Sequence, residues 1–265
     1  MPVRTVIHGA GGRMGQRLIA VGAQDRDVEL VGAVDASGSP KLGQDAGELA
    51  GAGKLALPLA SDYPDACDAV IDFSVPEATD ALIQQCVKRG WPLVFATTGL
   101  SDEQEQKIRS AAEVIPIVKA ASMSATVNLT MKLTEIAGRT LKDHSSGVDV
   151  EIIERHHRYK EDSPSGTALA FGKIVGDAMG LSGTTHGRSG RPGQRPRDEI
   201  GYHAVRTGDN PGEHTIIFGL LGETIELRVA ASNRDCYATG AFTAAKWLQG
   251  KPAGLYDMQD VLGLR

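Results

Sequence analysis

Val3-Arg4-Thr5-Val6-Ile7-His8-Gly9-Ala10-Gly11-Gly12-Arg13-Met14-Gly15 is the stretch whose reading decides the fold. Val3 to Ile7 is short, apolar and β-branched, the composition of a strand. Glycines crowd the next seven residues, and a segment with Met14, Leu18 and Val21 on one helical face follows. A strand, a glycine turn and a helix in that order predict a backbone that approaches a pyrophosphate over the helix N-terminus. The spacing is not the strict G-x-G-x-x-G, because Met14 stands where the third glycine belongs and Gly15 lies one residue later. A second strand, Glu29 to Val34, ends in Asp35, twenty residues beyond Gly15, where a carboxylate can accept hydrogen bonds from an adenosine ribose. Together these features predict dinucleotide binding; an ordinary βαβ unit with a solvated Asp35 is the alternative.

Outward from this turn, strands read at Ala69 to Ser74, Pro92 to Ala96 and Ile115 to Val118. Helices opened by Pro76 and Ser101 separate them, and Pro40 to Lys54 reads as a surface excursion. This alternation predicts an α/β protein with a Rossmann-type doubly wound parallel sheet. Ligands of such sheets lie beyond the carboxyl ends of the strands, so Thr97, Thr98 and the segment Ala120, Ala121, Ser122, Met123 are candidate walls of the nicotinamide side. Each is equally readable as an ordinary loop residue.

After Ser124 the character changes. Val127 to Leu141 reads as a helix and Val148 to Ile153 as a strand, and then comes Glu154-Arg155-His156-His157-Arg158-Tyr159-Lys160-Glu161-Asp162-Ser163-Pro164-Ser165-Gly166-Thr167-Ala168. The N-H groups of a helix's first turn lack intrahelical partners, so Ser165, Gly166 and Thr167 can form an anion pocket. Ser165 or Thr167 as a plain N-cap is an equally open reading. With Lys160 and His157 the pocket suits a carboxylate, which leaves His156 as a candidate proton donor near neutral pH. Neighbouring residues of an extended segment point to opposite faces, so the two imidazoles do not readily share a metal ion, and no metal is expected.

Thr184 to Asp198 reads as a long loop whose Arg188, Arg191, Arg195 and Arg197 either face an acidic ligand or a partner subunit, or are solvated. Ile200 to Arg206, Thr215 to Leu221 and Thr224 to Ala231 read as strands, with Ile225, Leu227 and Val229 burying one face. The expected organisation is a dinucleotide-binding domain over 1–124 and 236–265. An α+β domain with a mostly antiparallel sheet over 125–235 is expected to bind substrate and to oligomerise. A net charge of -5 without interleaved aromatics supports no nucleic-acid surface, and no apolar run reaches membrane-span length. The three scattered cysteines, Cys67, Cys86 and Cys236, fit reduced thiols, and with no signal-peptide pattern the expected location is the cytoplasm.

The combination of Gly9 to Gly15, Ile71-Asp72-Phe73, Thr97-Thr98-Gly99, the string from Glu154 to Ala168, Gly212-Glu213-His214-Thr215 and Gly254-Leu255-Tyr256-Asp257-Met258 resembles the bacterial 4-hydroxy-tetrahydrodipicolinate reductase (dihydrodipicolinate reductase) family over essentially the whole chain. The resemblance implies a homotetrameric enzyme of lysine and diaminopimelate biosynthesis that reduces a cyclic imine dicarboxylate with NADH or NADPH. It implies His156 as catalytic acid/base, Lys160 as second proton donor and carboxylate contact, and His157, Ser165, Gly166 and Thr167 as substrate ligands. For the cofactor it implies Gly9, Ala10, Gly11, Gly12, Arg13, Met14, Asp35, Ala96, Thr97, Thr98 and Ala120 to Met123. Ala36 replaces a basic residue common in relatives directly after the acid, so Asp35 is expected to repel a 2′-phosphate and NADH to be preferred, with NADPH possible through nearby Lys41. Ser122-Met123 replaces a common Asn-Phe pair, and Ala96 a common glycine. The alternatives are another amino-acid-pathway oxidoreductase on the same scaffold and a non-catalytic dinucleotide sensor.

Overall fold

A computed structural model describes residues 1–265. The chain divides into two compact units, Met1–Ala125 with Arg234–Arg265, and Thr126–Asn233.

In the first unit β1 (Val3–His8), α1 (Arg13–Gly22), β2 (Val28–Val34), α2 (Ala46–Leu49), β3 (Leu59–Ala60) and β4 (Ala69–Asp72) are followed by a 3-10 turn (Pro76–Ala78) and α3 (Thr79–Arg89). Then come β5 (Leu93–Phe95), α4 (Asp102–Ala112) and β6 (Pro116–Lys119). The seven-stranded sheet has the order β12-β6-β5-β4-β1-β2-β3, where β12 (Gly254–Tyr256) comes from the end of the chain, and every pairing is parallel. Parallel strands are covered on both faces, which is why Ala69 to Asp72 and Leu93 to Phe95 are buried at every position. Ser101 starts α4 with a reciprocal capping box through Gln104. Two edge strands, β3 and β12, are absent from the sequence reading, and the excursion from Pro40 carries α2, capped by Asp45. Asp45 holds that excursion together by accepting from the backbone N-H groups of Gly47, Glu48, Leu55 and Leu57.

The second unit contains α5 (Ala125–Leu141, whose first residue belongs to the first unit), β7 (Asp149–His156), α6 (Gly166–Met179), β8 (Gly183–His186), β9 (Glu199–Arg206), β10 (Glu213–Leu220) and β11 (Glu223–Ala230). The chain then returns to the first unit as α7 (Asp235–Trp247), β12 and α8 (Met258–Val261). The second sheet has the order β11-β10-β7-β9-β8. It is mixed rather than mostly antiparallel: β11/β10 and β10/β7 are antiparallel, β7/β9 and β9/β8 parallel. The physical reason is two return connections, α6 between β7 and β8 and the long loop between β8 and β9, each of which carries the chain back to start a parallel strand.

Along β7 alternate residues are buried, so Val150, Ile152, Glu154 and His156 share the inner face. Val150 and Ile152 pack with Phe171 and Val175 of α6 and with Ile216 and Phe218 of β10 in one apolar cluster. β11 buries its apolar face only in part: Val229 is buried, but at this sheet edge Ile225 is 42% exposed. The long loop starts at Gly187 rather than Thr184, and two of its arginines are occupied by the sheet itself. Arg188 binds Glu151 and Glu199, and Arg195 binds Asp149 and Glu151.

Candidate active site

The strand that carries the histidines runs three residues further than its apolar stretch suggests, ending at His156. Alternation therefore delivers Glu154 and His156 to the inner face, 1% and 7% exposed, at the point where that face stops being apolar. Register places Arg206 of β9 beside His156 and His214 of β10 beside Glu154. The Glu154 carboxylate accepts from His156 Nδ1, from Arg206 Nη1 at 2.8 Å and Nη2 at 2.7 Å, and from the Ser165 N-H at 3.1 Å. Burial acts to raise its pKa, but the hydrogen bonds from Arg206 and His156 outweigh this and hold it below the usual carboxylate range. His156 moves down: burial leads, Glu154 pulls the other way, and Lys160 and Arg206 add to the lowering.

His214 is 4% exposed, with Nε2 3.0 Å from Ser165 Oγ and its ring centroid 5.2 Å from that of His156. Burial, then the neighbouring His156, push it down to about 4, so it is neutral across the working range. Beyond the strand, the loop is pinned by backbone: His157 N-H donates to Asn210 O at 2.8 Å and Arg158 N-H to Gly208 O at 3.0 Å. Lys160 Nζ lies 2.8 Å from Asp162 Oδ1, a half-exposed pairing that an anionic ligand can compete with. His157 Nδ1 is buried without a hydrogen-bond partner.

Of the predicted substrate ligands, Ser165 has a structural role in the folded chain. It is the N-cap of α6, its hydroxyl accepts from Ala168 N-H at 3.2 Å and meets His214, and its own N-H is held by Glu154. Gly166 and Thr167 form the first turn of α6, with no acidic residue there to compete with a bound anion. Glu154, Arg206 and His214 are the site residues that sequence reasoning missed as functional candidates. An acid two positions before His156, in phase with the buried residues of a strand, is the signal that finds Glu154.

In the first unit the glycine turn is shaped by close approach. Gly9 has φ +79°, and a side chain on Gly15 would come within 2.1 Å of the Gly9 carbonyl oxygen. Gly15 thus performs the packing role expected of the third glycine, one residue later than the strict spacing. Asp35 Oδ2 accepts from Gly11 N-H at 2.9 Å, and a Cβ on Gly11 would meet that oxygen at 2.0 Å. No side chain caps α1 at Gly12, and no acid occupies its first turn, so its leading N-H groups suit a pyrophosphate. Ala10 is buried, while Gly12 and Arg13 are exposed and Met14 half-buried around this turn. A cleft of about 540 Å³ opens beside the turn, lined among others by His8, Gly9, Asp35, Ala36, Tyr63 and Ser74. A dinucleotide's adenosine end fits these residues.

Two of the candidate walls are buried in the first unit. Thr97 is buried, its hydroxyl donating to Asp72 Oδ2 at 2.7 Å and accepting from Ser74 N-H at 3.1 Å, so it braces the strand ends. Met123 is fully buried in the core of the first unit, with its carbonyl against Gly240, so its side chain forms no cofactor wall. Ala96, Thr98, Ala120 and Ala121 stay at or near the surface, and Ser122 is buried. No three His, Cys, Asp or Glu side chains converge as a metal cluster.

Comparison with known families matches residues 3–123 to the model "Dihydrodipicolinate reductase, N-terminus" and residues 126–262 to "Dihydrodipicolinate reductase, C-terminus". The chain belongs to the dihydrodipicolinate reductase family. It is 56% identical to the 4-hydroxy-tetrahydrodipicolinate reductase of Rhodopirellula baltica, over 99% of this chain and 97% of that one. It is 50% identical to the enzyme of the same name from Alkalilimnicola ehrlichii, over the whole of both chains. Among solved structures it is similar to the dipicolinate-bound dihydrodipicolinate reductase of Paenisporosarcina sp. TG-14, with a TM-score of 0.74 at 23% identity over 98% of this chain and 99% of that one. Membership of the dihydrodipicolinate reductase family makes the chain a pyridine-nucleotide-dependent reductase with a Rossmann-type first unit.

Proposed function

We propose that this chain catalyses 4-hydroxy-tetrahydrodipicolinate + NAD(P)H + H⁺ → tetrahydrodipicolinate + NAD(P)⁺ + H₂O, a step of diaminopimelate and lysine biosynthesis. The observation that carries it is family membership over both halves of the chain, together with a buried His156 beside cations suited to a dicarboxylate. The bound dihydronicotinamide supplies the hydride, and the glycine turn from Gly9 to Met14 with Asp35 holds that cofactor. Lys160, His157 and the first turn of α6 at Gly166 and Thr167 bind the substrate carboxylates, with Lys160 exchanging Asp162 for the ligand. His156, protonated, gives its proton to the ring nitrogen as that nitrogen gains electron density. Lys160 serves as a second proton donor. Homotetrameric assembly through the second unit and a cytoplasmic location complete the reading; no helix is long and apolar enough to cross a membrane.

NADH is the preferred cofactor. Ala36 places no cation beside Asp35, and Lys41 and Arg89 at this end already serve backbone carbonyls. Lys41 Nζ donates to Gly11 O at 2.8 Å, and Arg89 Nη1 donates to Pro64 O at 2.9 Å and Asp65 O at 3.1 Å. A 2′-phosphate next to Asp35 meets like charge, on the order of 1–4 kcal/mol, so kcat/KM favours NADH by roughly fivefold or more.

The test follows nicotinamide absorbance while the cyclic substrate is generated in the cuvette from pyruvate and aspartate semialdehyde by its synthase. Oxidation that depends on both precursors supports the reaction, and the NADH to NADPH rate ratio tests the Ala36 argument. A folded protein that binds NADH, yet neither oxidises it with the precursor mixture nor reduces NAD⁺ with simple amino or hydroxy acids, refutes the enzyme reading.

A further inference from the structure

The proton-donor role of His156, on which this inference rests, leaves open which ring nitrogen carries the mobile proton and what holds it there. The hydrogen bonds around Glu154 decide this. Each of its oxygens has two donors: Oε1 receives Ser165 N-H at 3.1 Å and Arg206 Nη2 at 2.7 Å, and Oε2 receives Arg206 Nη1 at 2.8 Å and His156 Nδ1. A carboxylate 1% exposed with a guanidinium bound in both prongs is ionised, and an ionised carboxylate only accepts. The hydrogen shared with His156 therefore belongs to Nδ1 in both protonation states of the ring. We propose that Glu154, clamped by Arg206, is the positioning residue of His156: it fixes the hydrogen on Nδ1 and so leaves Nε2 as the atom that exchanges a proton with substrate.

Arg206 has its own anchor, donating from Nη2 to Asp162 O at 2.6 Å, so the clamp also ties β9 to the loop that carries Lys160. The groups facing His156 come from every neighbouring element: Glu154 on its own strand, Arg206 on β9, neutral His214 on β10 and Lys160 in the loop. The single anion among them favours the imidazolium, whereas the two cations and burial oppose it. Glu154 and Arg206 thus act on the acid in opposite directions.

The first experiment reads nitrogen-15 shifts of labelled histidines in the wild-type protein without substrate, with His156 assigned by its loss in His156→Gln. The proposal expects the neutral ring to carry hydrogen on Nδ1; a neutral ring with hydrogen on Nε2 overturns it. That result is independent of catalysis, so it separates this inference from the functional one, which fails instead if His156→Gln leaves kcat intact. The second experiment compares kcat against pH. Glu154→Gln lowers kcat about 10²- to 10⁴-fold, as loss of a carboxylate that fixes a catalytic imidazole's tautomer does, with KM changed much less. It also moves the alkaline limb, where the imidazolium is lost, down by about one pH unit, and Arg206→Gln moves it up. Limbs that stay in place, or that move together, overturn the proposal. Should either variant fail to fold, the wild-type tautomer still decides.

Discussion

The glycine turn of the first unit and the histidine loop of the second, the two proposed anion sites, are made by opposite means. The turn works by missing side chains: Gly9, Gly11 and Gly15 admit backbone, a carboxylate and a helix at distances no Cβ permits. The loop works by side chains held through buried charge, with Glu154 and Arg206 behind His156, and Ser165 and His214 behind the start of α6. A site shaped by backbone fails sterically when altered, and one shaped by charge fails chemically while its fold survives. That difference can be broken or sharpened by substitution.

The largest effect belongs to the second unit. His156→Gln removes the proposed proton donor while its amide can still bond Glu154, so kcat should fall about 10²- to 10⁴-fold with KM and melting temperature nearly unchanged. A variant that keeps more than about a tenth of wild-type kcat moves the proton donor elsewhere, with Lys160 the next candidate.

A pair of glycines then tests the contrast directly. On Gly15 a methyl group would sit 2.1 Å from Gly9 O and 2.5 Å from Ala10 Cα, backbone atoms that no rotamer change relieves. Gly15→Ala should cost about 3 kcal/mol or more in urea unfolding and weaken NADH binding with it. Gly166 has open space where its Cβ would be. Gly166→Ala should hold stability within about 0.5 kcal/mol, and any effect should fall on substrate KM. Equal losses at both glycines would dissolve the distinction between the two sites.

The same contrast explains which features are legible in the sequence. Glycines that admit a close approach leave a local pattern, so the turn, Asp35 and the parallel sheet can be read directly, even with Gly15 displaced by one position. Supporting charges leave no such pattern. Glu154 looks like the first residue of a polar loop until the strand is known to run to His156, and Arg206 joins the site only through the β7/β9 register. Strand direction in the second sheet depends on where α6 returns the chain, which periodicity does not record. β3 and β12, of two and three residues, are too short to show any period. Met123 misleads because a position after a strand end suggests a ligand wall, whereas an apolar side chain there turns into the core.

The last effect concerns the pH dependence of stability, and its sign follows from burial. His214 is neutral in the folded chain down to about 4, whereas in the unfolded chain it protonates near 6.5. Between those values the unfolded state holds more protons, so this contribution is complete above pH 6.5 and is lost as pH falls toward 4. It amounts to on the order of 2–3 kcal/mol. His156, also shifted down chiefly by burial, loses stability in the same direction. The carboxylates act in a lower window. For Glu151, burial is outweighed by bonds from Arg188, Arg195 and His203; for Glu213, the bond from Arg228 leads, and both are held at about 2. Their contributions persist above 4.5 and disappear as pH drops toward 2. Urea midpoints at about pH 7.5 and about pH 5 therefore isolate the histidines. His214→Gln, which keeps a donor for Ser165 Oγ without a titrating ring, should flatten much of that difference while leaving the loss below pH 4.5 intact. An unchanged difference would mean that His214 accepts a proton in place, and the second unit would then rest on packing, as the first does, rather than on groups held in a chosen charge state.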